Sequence, residues 1–326
     1  MSTVFENIII KKIKHIFKYK NKQKMIGPKN MKVKIFIPQK LKKKIIVTAF
    51  LSVLLATSLF CVPFYSQINN PEKKQEGVKL PILMYHLILK NPGNKNKFIV
   101  SEKTFENDLK YIKNNGFTTI LIKDLIDYTE NKNELPEKPI LLTFDDGAYN
   151  NYLYAFPLAK KYNAKFVFSP IGIEADKYEK TKDENPSYSH ANWGKICEMS
   201  KSGLVEIQNH TYNMHGSKKS RIGCTKAQNE NDEKYKENLT KDLLKEQKLI
   251  EEKTGILPTA FFYPFGAISD KSEGIVRSLG FKATFDCENK MNFITKDPNC
   301  LFRLHRFLRP PGISSEDFFQ KINKNK

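Results

Sequence analysis

Tryptophan occurs once in the 326 residues and cysteine five times, at positions 61, 197, 224, 287 and 300, with no C-x-x-C pair. That spacing excludes a zinc ribbon and outlines no disulfide framework. Whether the four cysteines after position 61 pair in an oxidising compartment stays open. The chain also lacks G-x-G-x-x-G, the P-loop and H-E-x-x-H, and shows no internal repeat, so nucleotide binding and the common zinc protease design have no support. Acidic residues are nearly missing from the start: residues 1–44 hold 14 lysines against the single Glu6, a net +13 of the total +20. The basic excess belongs to one end rather than to a binding surface, and no nucleic acid partner is expected. A hydrophobic content of 40% excludes disorder of the whole.

The basic stretch 1–44 leads into Ile45–Phe64, 20 residues without a charge. A helix of that length covers roughly the 30 Å of a bilayer core. Lysines 40, 42, 43 and 44 on its near side keep residues 1–44 cytoplasmic and send the remainder outside. The reading adopted is a single-pass cell-membrane anchor, with cleavage after the small residues Ala56–Ser58 as the alternative. Met25 and Met31 offer internal starts that would shorten the basic region. Residues 65–79 are polar and read as a linker, and residues 80–326 as one folded domain.

From Leu80 onward, short apolar runs alternate with helical patterns. "PILMYHLIL", "TTILI", "KPILLTF", "AKFVFSP", "LVEIQ", "TAFFY" and "FKATF" read as strands; between them, spacings such as Phe105, Leu109 and Ile112 read as helices. Near-continuous apolar strands interleaved with helices indicate a parallel sheet buried on both faces, an α/β fold, and about seven such units suggest a barrel. Residues 174–190 and 216–237 are expected to be polar loops after strand ends, where a barrel carries its active face. A long helix is expected only from Asn238.

Three strand ends carry chemistry. "TFDDG" (143–147) sets Asp145 beside Asp146 before a glycine; because side chains alternate along a strand, the two carboxylates can serve different purposes. "HTYNMH" (210–215) spaces two histidines five apart; on a helix they would diverge by about 140°, so they belong to a strand end and its loop, where they can converge on one ion. "YPFG" (263–266) forces an irregular turn that frees backbone N–H groups. Trp193 after Asn192 reads as a packing residue at a helix start, and His190 as part of a polar loop.

Taken together, and with "ILMYH" (82–86) and "KTFENDLKYIKNNGF" (103–117) before them, these motifs resemble the polysaccharide deacetylases of the NodB-homology type, carbohydrate esterase family four. The resemblance runs from about Leu80 to Pro311. It implies a distorted (β/α)7 barrel and metal-dependent removal of acetyl groups from N-acetylated sugars. The long histidine spacing, the Tyr-His pair and Phe262, where most members have arginine, are similar to the poly-N-acetylglucosamine deacetylase branch. By that resemblance Asp146, His210 and His215 bind one divalent ion, expected to be zinc; Asp145 is the general base; the N–H of Phe265 steadies the oxyanion; and His86 is the general acid, with His305 as competitor. The expected substrate is an N-acetylglucosamine-containing cell-surface polymer, either exopolysaccharide or peptidoglycan, handled by a monomer. The alternative is a catalytically inactive, membrane-tethered carbohydrate-binding relative, which should have lost Asp145 or a metal ligand.

Overall fold

The computed structural model describes residues 77–93, 96–218 and 220–324. The expected basic tail, the membrane span and all but the last residues of the linker lie outside the described residues. Among those described, no helix is long and apolar enough to cross a membrane.

Seven parallel strands form the frame: β1 (Ile82–Tyr85), β2 (Pro139–Phe144), β3 (Phe166–Phe168), β4 (Val205–Ile207), β5 (Ala260–Phe262), β6 (Ala283–Phe285) and β7 (Phe307–Leu308). Continuous pairing runs β7-β1-β2-β3-β4, with Phe307 opposite Leu83 and Ile82 opposite Leu141. β5 pairs with β6 separately. Two single-residue parallel bridges complete the ring: Asn209 to Phe261 joins β4 to β5, and Phe285 to Leu304 joins β6 to the segment that becomes β7. The frame is therefore a seven-stranded barrel with two thin seams, in line with the expected distorted (β/α)7 architecture.

β2 shows why its sequence is apolar throughout. All six residues are buried, Ile140, Leu142 and Phe144 in one hydrophobic cluster and Leu141 in another, so the strand packs on both faces. Thr118–Ile120, expected as one of the series, pairs only with the start of β2. Val78–Leu80 adds an antiparallel pair with Asn292–Ile294, so among the described residues the domain extends two residues before Leu80.

The helices are α1 (Glu102–Asn114), α2 (Ile122–Thr129), α3 (Phe156–Tyr162), α4 (Gly172–Thr181), α5 (Trp193–Lys201), α6 (Asp232–Thr254), α7 (Asp270–Ser278) and α8 (Ser315–Lys324). Ser101 caps α1, accepting from the Thr104 amide at 3.0 Å, and Phe105, Leu109 and Ile112 are buried as their spacing requires. Two expectations need correction. Residues 174–181 belong to α4, whose narrow stripe Gly172, Ala175 and Tyr178 is buried. The stretch 216–237 holds a small hairpin, Ser217–Lys218 with Arg221–Ile222, and the first turns of α6, which starts at Asp232 and buries Tyr235. Polar composition hid both, because one small or aromatic residue every three or four positions suffices to dock a helix.

α6 also buries Glu246 against the backbone of α4, so close that a Cβ at Gly172 would meet its Oε2 at 1.7 Å. Neither carboxylate oxygen has a hydrogen-bond partner among the described residues. Burial, reinforced by Asp242 and Asp176, holds this carboxyl well above the usual 4.5. A raised folded-state value favours folding in acid and loses that contribution as pH climbs above about 4.5. Glu246→Met should therefore be more stable than the parent by about 1–3 kcal/mol at pH 8, with the gain shrinking towards pH 4, measured by urea unfolding at both pH values.

Candidate active site

The three motifs meet at one end of the barrel because each follows a strand, and each turn contains left-handed backbone. Asp146 (φ 67°) and Gly147 (φ 78°) follow β2, Thr211 (φ 74°) follows β4, and Phe265 (φ 60°) with Gly266 (φ 65°) follows β5. Non-glycine residues with positive φ cost energy and persist where surroundings hold them, which is common at functional sites. At Gly147 the requirement is also steric, since a Cβ would meet the Pro170 Cα at 2.8 Å. Asp145 keeps the strand alternation and faces the same way as Leu141 and Thr143, whereas the turn at Asp146 sends the second carboxylate elsewhere.

Asp146 Oδ1 lies 3.1 Å from His215 Nε2 and 3.4 Å from His210 Nε2. One ligand atom from each of the three residues lies within 4.8 Å of the others. His210 Nδ1 is 2.8 Å from the Phe262 carbonyl, which can only accept, so Nδ1 carries hydrogen. In the neutral ring Nε2 then presents a lone pair towards a carboxylate oxygen, an opposition of two acceptors that a cation between them would resolve. The donor set, two imidazoles and a carboxylate, also suits a divalent ion. These residues fit a metal.

The charges agree with this. Burial works against the Asp146 carboxylate, but His210 and His215 outweigh it and hold the group well below 3.8. Burial likewise opposes His215⁺, yet Asp146 holds His215 above its ordinary value. Asp145 is fully buried, which would raise it, but Arg306 and His210 outweigh burial and hold it low. Arg306 donates through Nη1 to Asp145 Oδ1 at 2.7 Å and through Nε to the Asp286 carbonyl at 2.7 Å, and both side chains of the ion pair are sealed from solvent. Ser169 adds a hydroxyl donor at 3.2 Å. The guanidinium lies 4.9 Å from the Phe262 ring centre, so an arginine just before β7 stands beside the position where the third motif lacks one.

His86 follows β1 and is half-buried beside the Phe98 ring at 4.7 Å. Its Nδ1 has no partner among the described residues. Burial lowers it from 6.5, while the nearby Asp145 and Asp146 carboxylates pull the other way. His305 lies apart in its own cluster, with Nδ1 2.8 Å from Asp286 and 3.8 Å from Glu288. Trp193 packs as expected at the start of α5, where it is buried and donates to Asp176 at 2.8 Å. His190 is more than a loop residue: its Nδ1 bonds the Asp146 carbonyl at 2.8 Å, and a bridge from His190 to Ala148 pins the aspartate turn.

Sequence reasoning missed Arg306, His190 and the two asparagines after the glycine. Asn151 donates to the His86 carbonyl at 2.7 Å and Asn150 accepts from the Ile88 amide at 3.1 Å, clamping the chain that carries His86. Their place in "DDGAYNNY", at the start of one wide helical turn (Asn151–Ala155, with Asn150 just before it), was the available signal. A cleft of about 700 Å³ opens over the cluster, lined by Asp146, His215, His190, Glu174, Arg221 and Met214 among others.

Residues 132–284 match the family model described as polysaccharide deacetylase. That stretch is similar to polysaccharide deacetylases. The chain is similar to poly-beta-1,6-N-acetyl-D-glucosamine N-deacetylase of Escherichia coli O157:H7, 24% identical over 74% of the chain and 38% of the relative. The corresponding enzyme of Staphylococcus aureus MRSA252 is 25% identical over 70% of the chain and 71% of the relative. The chain thus spans well under half the length of the E. coli relative. A solved de-N-acetylase from Aggregatibacter actinomycetemcomitans superposes with a TM-score of 0.64 at 24% identity, covering 75% of this chain and 99% of that one. That likeness shows the fold, the NodB-type α/β fold.

Proposed function

We propose that this chain is a metal-dependent N-deacetylase of N-acetylglucosamine-containing cell-surface polysaccharide. The observation that carries the reading is the meeting of Asp146, His210 and His215 at an open cleft that Asp146 and His215 line, with an ionised, arginine-held Asp145 next in the chain. The named relatives that act on poly-β-1,6-N-acetylglucosamine favour that polymer over peptidoglycan. In this reading Asp146, His210 and His215 hold one divalent ion, zinc by the donor set; when bound it supplies Lewis acidity to the acetamide carbonyl and to the attacking water. Asp145 accepts the proton of that water, and Arg306 keeps it ionised to do so. The N–H of Phe265 meets charge growing on the acetyl oxygen. His86 delivers a proton to the leaving sugar amine, without which an amide nitrogen departs poorly; its burial among the site's charges favours it over His305, whose Nδ1 is engaged by Asp286. An inactive carbohydrate-binding relative has no observation in its favour, since every expected ligand and the base are present.

The charge step at residues 1–44 and the apolar run 45–64 support a single-pass anchor with the catalytic domain outside the cell, acting as a monomer on a polymer it reaches there.

The test is acetate release by the full chain in detergent from poly-β-1,6-N-acetylglucosamine and from peptidoglycan. Activity should fall at least tenfold after dialysis against a chelator and return with added zinc. Turnover indifferent to chelation would sink the metal assignment, and release from peptidoglycan alone would transfer the substrate to the cell wall.

A further inference from the structure

The cleft holds a cation that the chemistry above does not use. Among the described residues that line it, Arg221 is the one lysine or arginine. The hairpin that carries it leaves directly from the metal cluster: Gly216 follows His215, and its carbonyl accepts from the Gly223 amide at 2.8 Å where the hairpin closes. Arg221 stands opposite Lys218. The three residues from His215 to Lys218 span at most about 11 Å, a separation on the scale of linked sugars rather than of one acetamide.

The guanidinium is fixed at one corner. Nη2 donates to Glu230 Oε2. Glu230, with its side chain 7% exposed, also accepts from the Ala227 amide at 3.1 Å and from Asn238 Nδ2 on α6 at 2.6 Å. Burial opposes that carboxylate, but the Ala227 amide and Arg221 outweigh it and hold the group low. An arginine carries five N–H donors and no acceptor. Among the described residues Glu230 alone receives a bond from this one, and Nε has no partner. The side chain lines the cleft and is 25% exposed, which leaves donors for an acceptor arriving there.

An anion would gain little, because Glu230 already answers the charge. A neutral acceptor fits, and the strongest on an N-acetylated hexosamine is the acetamide carbonyl. Each sugar has one. With that of the reacting sugar at Asp146 and His215, a carbonyl at Arg221 belongs to another sugar. Deacetylation turns the group into an ammonium, a cation with donors only, which a guanidinium repels. Glu174, the cleft's carboxylate outside the metal cluster, has Lys177 at 3.2 Å and so offers an ammonium little net attraction. We propose that Arg221 recognises the intact acetamide of a hexosamine neighbouring the one at the metal cluster, so that the enzyme selects acetylated stretches and spaces its products apart. This deepens the deacetylase reading above and rests on it.

The test is calorimetric binding of two β-1,6-linked hexosamine tetramers, one fully acetylated and one with a single acetamide, to the zinc-loaded full chain in detergent, with Asp145→Asn to prevent turnover. Adding Arg221→Lys, which keeps a cation for Glu230, should weaken the fully acetylated tetramer about tenfold and the single-acetamide tetramer less than about twofold. Arg221→Met should show the same difference. In the active enzyme, Arg221→Lys should raise the share of adjacent glucosamine pairs in a twice-deacetylated hexamer about fivefold, read by tandem mass spectrometry. Equal weakening of both tetramers, or no change in either, overturns the proposal, as does an unaltered share of adjacent pairs. Failure of the Asp145→Asn parent to bind either tetramer overturns the deacetylase reading and this one together, whereas binding by the parent without the difference in the variants overturns this one alone.

Discussion

Arg306→Met is expected to slow deacetylation by about 100- to 1,000-fold at neutral pH, the scale of losing a positioned base. Asp145 has no solvent to stabilise its charge; burial alone would push it upward, and Arg306 is the first of the groups that hold it down. Without the guanidinium, burial remains and the depression weakens, so the acid limb of the kcat/KM profile should move to higher pH. Stability should fall too. Breaking a buried pair by removing one partner costs about 3–5 kcal/mol, because the other charge is stranded. A depressed folded-state value contributes stability above the unfolded 3.8 and loses it as pH falls through the folded value. The variant's stability deficit should therefore be largest near neutrality and narrow in acid. The pH profile and a denaturation series separate the two effects, and an acid limb that stays where it was would remove Arg306 from the positioning of Asp145.

The second large effect belongs to Asp108 on α1. Its carboxylate receives Arg309 through Nε at 2.8 Å and Nη2 at 3.1 Å, the Tyr85 hydroxyl at 3.0 Å and the Ser315 hydroxyl at 2.6 Å, and neither member of the ion pair has any exposed side chain. Four donors from β1, the residue after β7, and α8 converge on one residue, so the carboxylate welds the first and last strands to α1. Asp108→Ala strands a buried guanidinium and should cost about 3–5 kcal/mol by urea unfolding. Asp108→Leu combined with Arg309→Met should recover much of that loss, because a well-packed apolar pair can replace a buried ion pair at little cost. A double variant as unstable as the sum of its parts would instead assign the loss to packing.

The parts of this protein that could be read from sequence are those whose cause is local. β2 announces itself as six consecutive buried residues, and the Asp145–Asp146 and His210–His215 pairs stand at strand ends where such residues serve no packing purpose. α4 and the opening of α6 were hidden because surface lysines and glutamates outnumber the few residues that dock them. Arg306 was illegible for a different reason. Its partner lies 161 positions away, and the two-residue strand that follows it offers no periodicity to signal that the charge just before is buried. His190 gave only its polar neighbours to read, and its bond to the Asp146 carbonyl depends on how two loops meet.

The two buried arginines bracket β7, one on each side of Phe307–Leu308. A chain made from its N-terminus has written Asp145, Asp146, His210 and His215 long before it writes either arginine. Until those last residues dock, Asp145 has no counter-charge and the first strand lacks its outer neighbour. The stretch from Arg306 to Arg309 therefore works as a completion signal: a chain cut before it would possess every expected metal ligand and still leave Asp145 without its counter-charge.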